Sequence, residues 1–279
     1  MILIIFIIIL LIIIVSFFII KYYIKDHGHF VSKYYMKHII KISPFFSKMT
    51  ITDLIARNID SKEHYKNLYI KSLIHFTSNQ KNIIDSLIKS IDPILINFKN
   101  ISSIPWKITK IDVNIENGYP HTIEDVIVFN DNFFTLNQEQ QKLLLLHEKI
   151  HIYQRKFPIE THEFIMNILG FQIKNRNKNF NMMVRNNPDL NDLTYGKDNY
   201  YILQIYNNFN PKSLADSKII KVNEKNNEIS NLTQNDLNIE LNDKTQLEHP
   251  YEIMASYLPY VILHKKVNIN YIDWMHQYL

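Results

Sequence analysis

The segment LLLLHEKIHIYQR, residues 143–155, sets His147, Glu148 and His151 directly behind four leucines. If the segment is one helix, it is apolar on most sides and belongs inside the domain. Polar groups buried there need partners. His147 and His151 are four residues apart and project one above the other from a single helix face, while Glu148 stands about 100° round the axis. Two imidazoles in this arrangement suit a shared metal ion. The HExxH spacing predicts that both bind Zn²⁺ at ~2.0–2.1 Å and that Glu148 acts as base towards a water activated there. The alternative, two solvated histidines on a helix surface, fits poorly beside Leu143 to Leu146.

Composition narrows the other chemistries. The chain has 279 residues, 46% hydrophobic and 21% charged, which leaves room for one sizeable core or two small ones. It contains no cysteine, so disulfides, thiolate zinc sites and a cysteine nucleophile are excluded, and any metal is held by His, Asp or Glu. With 4 glycines and no GxGxxG or P-loop pattern, phosphate-cradling loops are excluded as well. The net charge of +4 is small and the lysines are scattered among acids, so no nucleic-acid partner is expected.

The elements that must position the histidines follow from pattern. From Asp26 to Phe98 apolar residues recur at helical spacing, with breaks at Pro44 and at Asp92–Pro93. WKITKIDVNIENGY and HTIEDVIVFNDNFF then alternate and are rich in Ile, Val and Phe, which predicts strands with ENGY as the turn between them. Asn137 with Gln140 three residues on has capping-box spacing and predicts a helix from 138 to 156, ended by Pro158. THEFIMNILGFQI reads as helix, and the segment from Arg185 to Pro211 as a loop followed by a strand. Residues from about 207 to 247 are dominated by Asn, Lys, Asp and Glu and read as a surface insertion or a pair of exposed strands. YEIMASYLPYVIL is expected to be helical at its start, with His249 near the cap and Pro250 in the first turn.

Met1 to Ile20 carry no charge and one hydroxyl, Ser16, over a length of about 30 Å as a helix, enough to cross a bilayer. No basic n-region or small-residue cleavage site accompanies them, so the expectation is an uncleaved anchor and not a signal peptide. Lys21, Lys25, Lys33, Lys37 and Lys41 follow against Asp26 alone, with Tyr22 and Tyr23 at the interface. By the positive-inside tendency the remainder is expected on the cytoplasmic side of a single-pass membrane protein. The expected division is an anchor over 1–21, a helical region over 22–100 and a catalytic domain over 101–279.

Two histidines do not complete a catalytic site, which needs a third protein ligand and an open position. The metzincin pattern fails, because Gln154 stands where it needs Gly and Phe157 where it needs His. PDLNDLTYG matches the second half of the deuterolysin-like GTxxDxxYG through Asp192, Tyr195 and Gly196, while Pro188 and Asp189 replace its Gly-Thr, so Asp192 is one candidate. The other lies in EHPYEIMASYL. There the chain resembles the gluzincins, HExxH zinc metallopeptidases whose third ligand is a glutamate on a later helix in an ExxA or similar setting; Glu252 and Ala255 match it. PHTIEDVIVF is likewise similar to the edge strand that precedes the active-site helix in zincins and pairs with an extended substrate. The resemblance covers roughly residues 105 to 260, with a longer gap between His151 and Glu252 than thermolysin-like enzymes have. It implies an α+β, zincin-like metallopeptidase domain in which a small β-sheet packs on the HExxH helix. It further implies one Zn²⁺ held by His147, His151 and Glu252, a protein or peptide substrate, and hydrolysis with Glu148 as general base. The other reading of Glu252 is a first-turn glutamate favoured by the helix dipole.

The donor that stabilises a developing oxyanion is open among His249, Tyr251, Tyr257, Arg155 and His121. Gln154 and Arg155, one turn past His151, are placed to orient groups behind the metal ligands. Two further readings stand beside the peptidase: a catalytically silent, membrane-anchored zincin-fold interaction protein, and a zinc hydrolase acting on a substrate other than peptides.

Overall fold

The run VIVF forms the strand Val126–Phe129, and its unbroken hydrophobicity has a simple cause: both of its faces are covered. Ile127 and Phe129 enter one core and Val126 and Val128 another, as alternation along a strand requires. The computed structural model describes residues 29–237, 246–264 and 269–279, and in them this strand lies between two helical layers. In chain order, α1 (Lys33–Ile42), α2 (Pro44–Lys48), α3 (Ile51–Ala56) and α4 (Lys62–Lys71) lead to β1 (Leu73–Ile74). Next come α5 (Ser78–Leu95), α6 (Lys99–Ser102), β2 (Ile108–Ile111), β3 (His121–Ile123) and β4 (Val126–Phe129). α7 (Gln138–Lys156) and α8 (Pro158–Glu163) precede β5 (Gln172–Lys174), β6 (Thr194–Lys197), β7 (Tyr200–Tyr206), β8 (Ser217–Asn223) and β9 (Ile229–Asn231). The chain closes with α9 (Gln234–Leu237), α10 (Pro250–His264) and α11 (Ile269–Tyr278).

The expected fold is corrected in one respect. Among the described residues no helix is long and apolar enough to cross a membrane. The anchor expected over residues 1–21 lies outside the described residues, and the single-pass, cytoplasmic-side placement is withdrawn with it. Part of the signal has another origin: Lys33, Lys37 and Lys41 form the solvated face of α1, whose other face buries Met36, Ile39 and Ile40. That is the pattern of an amphipathic helix on a domain surface.

The first sheet has strand order β1-β2-β4-β3, with β2 and β4 parallel and the other pairs antiparallel. ENGY does turn, with Glu116 and Asn117 at φ 47° and 57°. It does not join neighbouring strands, however: β4 lies between β2 and β3, and the hairpin turn is at Glu124 and Asp125, with Glu124 at φ 54°. The conformation of Glu116 is held from its side chain, which accepts from Arg57 Nε at 2.7 Å and Nη2 at 2.8 Å and from the Tyr65 hydroxyl.

The division expected near residue 100 is not a break in packing. One core joins α5 to α7, α10 and α11, and the other joins α1 to α4 with β1 to β4. The second sheet is an antiparallel meander, β5-β6-β7-β8-β9. Its β8 contains KIIKV, pairs with β7 from Ser217 to Asn223 and buries Ile220 and Val222, while β9 is exposed, so of the two readings of this polar stretch the structure has the pair of strands, joined to the sheet through β7. At the β6–β7 hairpin only glycine fits position 196, because a Cβ there would lie 1.9 Å from the Tyr200 carbonyl oxygen.

α7 has the predicted bounds. Asn137 Oδ1 accepts from the N–H of Gln140 at 3.0 Å, and Gln140 Oε1 accepts from the N–H of Asn137 at 3.2 Å. Leu145, Leu146 and Ile150 are fully buried. Each such side chain stabilises the fold by about 1.5–3 kcal/mol. α10 packs against α7, and Ala255 is fully buried there.

Candidate metal centre

His147 and His151, on α7, meet Glu252, in the first turn of α10. The Nε2 atoms of the two histidines are 3.0 Å apart, and each is 3.3 Å from Glu252 Oε2. The three side chains form a group that could hold a metal ion. Fit can be judged from the spacing alone: with bonds of ~2.0–2.1 Å, tetrahedral ligand atoms stand about 3.3 Å apart. Glu252 Oε2 is also buried without a hydrogen-bond partner, which leaves a carboxylate oxygen aimed at two ring nitrogens. Burying such groups is unfavourable unless something compensates their charge. Asp192, the other candidate ligand, is elsewhere: it is exposed and paired with Lys48 Nζ at 2.5 Å.

Protonation follows this geometry. Burial disfavours charge on His151, but the adjacent Glu252 outweighs it and raises the imidazole to about 9. Burial pushes Glu252 up, and His151 and His147 pull it well below the usual carboxylate range. In the absence of a cation the cluster therefore holds a proton where a metal would sit.

Glu148 lines the same cavity of about 290 Å³ as His147 and Glu252, and its Oε2 is buried without a partner. Burial pushes its carboxyl well above the ordinary range, Asp189 and Glu252 add to the shift, and His151 and Arg155 oppose it. His147 is the most accessible of the three ligand candidates, at 13% side-chain exposure. It also faces an apolar groove formed with Leu136, Leu143, Ala255 and Pro259.

Gln154 lies behind His151. Its Nε2 donates to the carbonyl of Tyr251 at 2.8 Å, which leaves Oε1 to face His151 Nδ1 at 2.9 Å. Nδ1 then carries a proton of its own, so Nε2 is the nitrogen left to bind a metal once the proton it shares with the cluster is displaced. Asn187 Nδ2 donates to the other oxygen of Glu252 at 3.1 Å.

The segment from Arg185 to Asp189 that supplies Asn187 is fixed from several sides. Arg155 donates to Pro188 O at 2.7 Å and Thr122 Oγ1 at 2.6 Å, and Arg57 donates to Asn186 O at 3.2 Å. Asp53 Oδ1 accepts from the N–H of Asn186 at 2.9 Å and from the Tyr206 hydroxyl at 3.0 Å. Asp189 Oδ1 accepts from the N–H of Thr122 at 2.8 Å. PHTIEDVIVF is a hairpin and not one edge strand: β3 is at the edge, β4 is interior, and the outward N–H of Thr122 on β3 is already occupied by a side chain.

Of the five candidates for an oxyanion donor, only His121 lines the cavity, and its ring nitrogens contact the Tyr69 hydroxyl at 2.6 Å and Tyr119 O at 2.9 Å. His249 is held neutral by burial, its pKa lowered to about 4, and its Nδ1 accepts from the N–H of Tyr251 at 3.1 Å, a capping role. The Tyr251 hydroxyl accepts from Asn191 at 2.9 Å, and Arg155 braces the loop.

No family model matches the chain, and no curated protein or solved structure matches it. The likeness to gluzincins rests on the residues described above.

Sequence reasoning missed Arg185, Asn187 and Asp189 as neighbours of the cluster. A signal was present in arginine usage: 4 of the 31 basic residues are arginine. Arg57, Arg155 and Arg185 all hold or belong to this one segment, and Arg176 lines a second cavity, of about 450 Å³, with Arg155 and Arg185. A chain that otherwise uses lysine places planar, multidentate donors where geometry matters.

Proposed function

We propose that this chain is a zinc-dependent peptidase, with the ion held by His147, His151 and Glu252 and with Glu148 as general base. The observation that carries the reading is the convergence of two imidazole nitrogens and a carboxylate oxygen at 3.0–3.3 Å, beside a second buried carboxylate without a partner. Zinc in that group supplies Lewis acidity, which makes a water nucleophilic near neutral pH and polarises a carbonyl. Glu148 takes a proton from the attacking water as the C–O bond forms, and passes it to the amine nitrogen as the C–N bond breaks. Gln154 keeps His151 in the ligating tautomer, and Asn187 fixes the carboxylate plane of Glu252.

The test uses the full chain, purified and supplied with zinc, together with its Glu148→Gln variant. Stoichiometric zinc is expected in both, and hydrolysis of a mixed peptide library is expected to fall about 10²–10⁴-fold in the variant. A wild-type chain that retains no metal overturns the site. Equal hydrolysis by both overturns the role of Glu148.

A further inference from the structure

Arg185 lies in the same cavity as His147, Glu148 and Glu252. Its backbone N–H donates to Gln204 O at 3.0 Å and the preceding residue bridges Ile205, so its position is set by β7. The guanidinium carbon stands 5.8 Å from the centroid of the Tyr119 ring. Unlike Arg57 and Arg155, which are committed to Glu116 and Asp189, Arg185 makes no ion pair within 4.0 Å among the described residues; the Glu248 carboxyl in the same cavity feels its charge without reaching it. Its Nε is buried with no hydrogen-bond partner at all. Arg185 as a whole is only half-buried, so its terminal nitrogens remain reachable from the cavity while Nε is shut off from water, and a carboxylate is the acceptor whose shape matches a guanidinium fork.

Two further observations restrict what can bring that carboxylate. The cavity, at about 290 Å³, is at the small end of the range for small-molecule sites, about 300–1,000 Å³. The edge strand cannot take an added strand at Thr122, because Asp189 already accepts from its N–H. An extended chain passing through the site is thus disfavoured, and a chain end is not.

On the peptidase reading above, we propose that the substrates are short peptides or chain ends with a free carboxy terminus, and that Arg185 binds the terminal carboxylate while the adjacent peptide carbonyl faces the metal ligands. Arg185 is then the residue that sets specificity for an end over an interior bond.

The test is binding, measured by calorimetry on the zinc-loaded full chain carrying Glu148→Gln, so that ligands stay intact. The ligands are N-acetylated dipeptides with each of the common side chains in the last position, each as the free acid and as the carboxy-terminal amide. Acids that bind are expected to bind at least about tenfold tighter than their amides. Arg185→Gln is expected to erase that preference and Arg185→Lys to keep part of it, with zinc content and melting behaviour unchanged. Acids and amides binding alike, no acid binding, or an acid preference that survives Arg185→Gln overturns the proposal. Should Arg185→Gln fail to fold, the acid–amide comparison and Arg185→Lys still decide. Zinc content on the same samples reports separately on the peptidase reading, which fails if the wild type holds no metal.

Discussion

Gln154 ties His151 to the main chain one residue before Glu252, through contacts of 2.9 Å to the ring and 2.8 Å to the Tyr251 carbonyl. One side chain thereby orients the ring of one candidate ligand and ties it to the first turn of the helix that carries another.

Gln154→Ala should therefore weaken metal binding by about 10–100-fold while leaving all three ligands in place. Competition against a chelator of known affinity measures this. An affinity equal to wild type would mean that neighbouring packing alone sets the ring of His151.

Glu252→Ala should abolish stoichiometric zinc, whereas Asp192→Ala should leave it unchanged, because Asp192 is spent on Lys48 at the surface. Metal analysis of the two purified variants separates the candidates. The reverse pattern would place the third ligand in the loop and not on α10.

The metal-free cluster should respond to pH in a defined direction. His151 titrates at about 9 in the fold against an ordinary 6.5, and a group raised in this way contributes stability that is complete below 6.5 and lost as pH rises through about 9. Melting temperature in the presence of a chelator should fall across that window. Zinc affinity should rise over the same window, since binding needs the neutral ring. Chelated protein that melts at one temperature throughout would show that Glu252 and His151 are not coupled.

Glu116→Gln should destabilise the fold by about 1.5–3 kcal/mol, because it removes the bidentate carboxylate from buried Arg57 and leaves it only Asp53 Oδ1, at 3.5 Å. The pair is bidentate, at 2.7 and 2.8 Å, and both side chains are almost wholly buried. Denaturant titration reads the change, and a loss under about 1 kcal/mol would mean that Asp53 and the backbone carbonyls of Asp53 and Asn186 satisfy Arg57 without Glu116.

Much of α7 was legible because two independent local signals coincided on it. The Asn137–Gln140 capping box set its start, and Leu145, Leu146 and Ile150 marked it as buried. The partnership with Glu252 was reached through a resemblance in EHPYEIMASYL and not through any local rule, since no periodicity links positions so far apart. Strand order was not legible. β4 slips between β2 and β3 because its two faces serve different cores, a demand set by distant helices. The segment from Arg185 to Asp189 reads locally as a polar loop, and its placement depends on Asp53, Arg57, Thr122 and Arg155, none of which is near it in sequence. The lysines after the apolar terminus suggested a membrane flank, yet those on α1 alternate with buried Met36 and Ile40.

That loop has a bearing on when the chain becomes chemically competent. Its anchors are as far apart in the chain as Asp53 and Glu252. A nicked or half-assembled chain would present a pair of imidazoles on a helix with no carboxylate braced against them. On the peptidase reading, reactivity would thus wait until these distant parts of the chain have come together, a safeguard for any cell that makes such a protein near its own polypeptides.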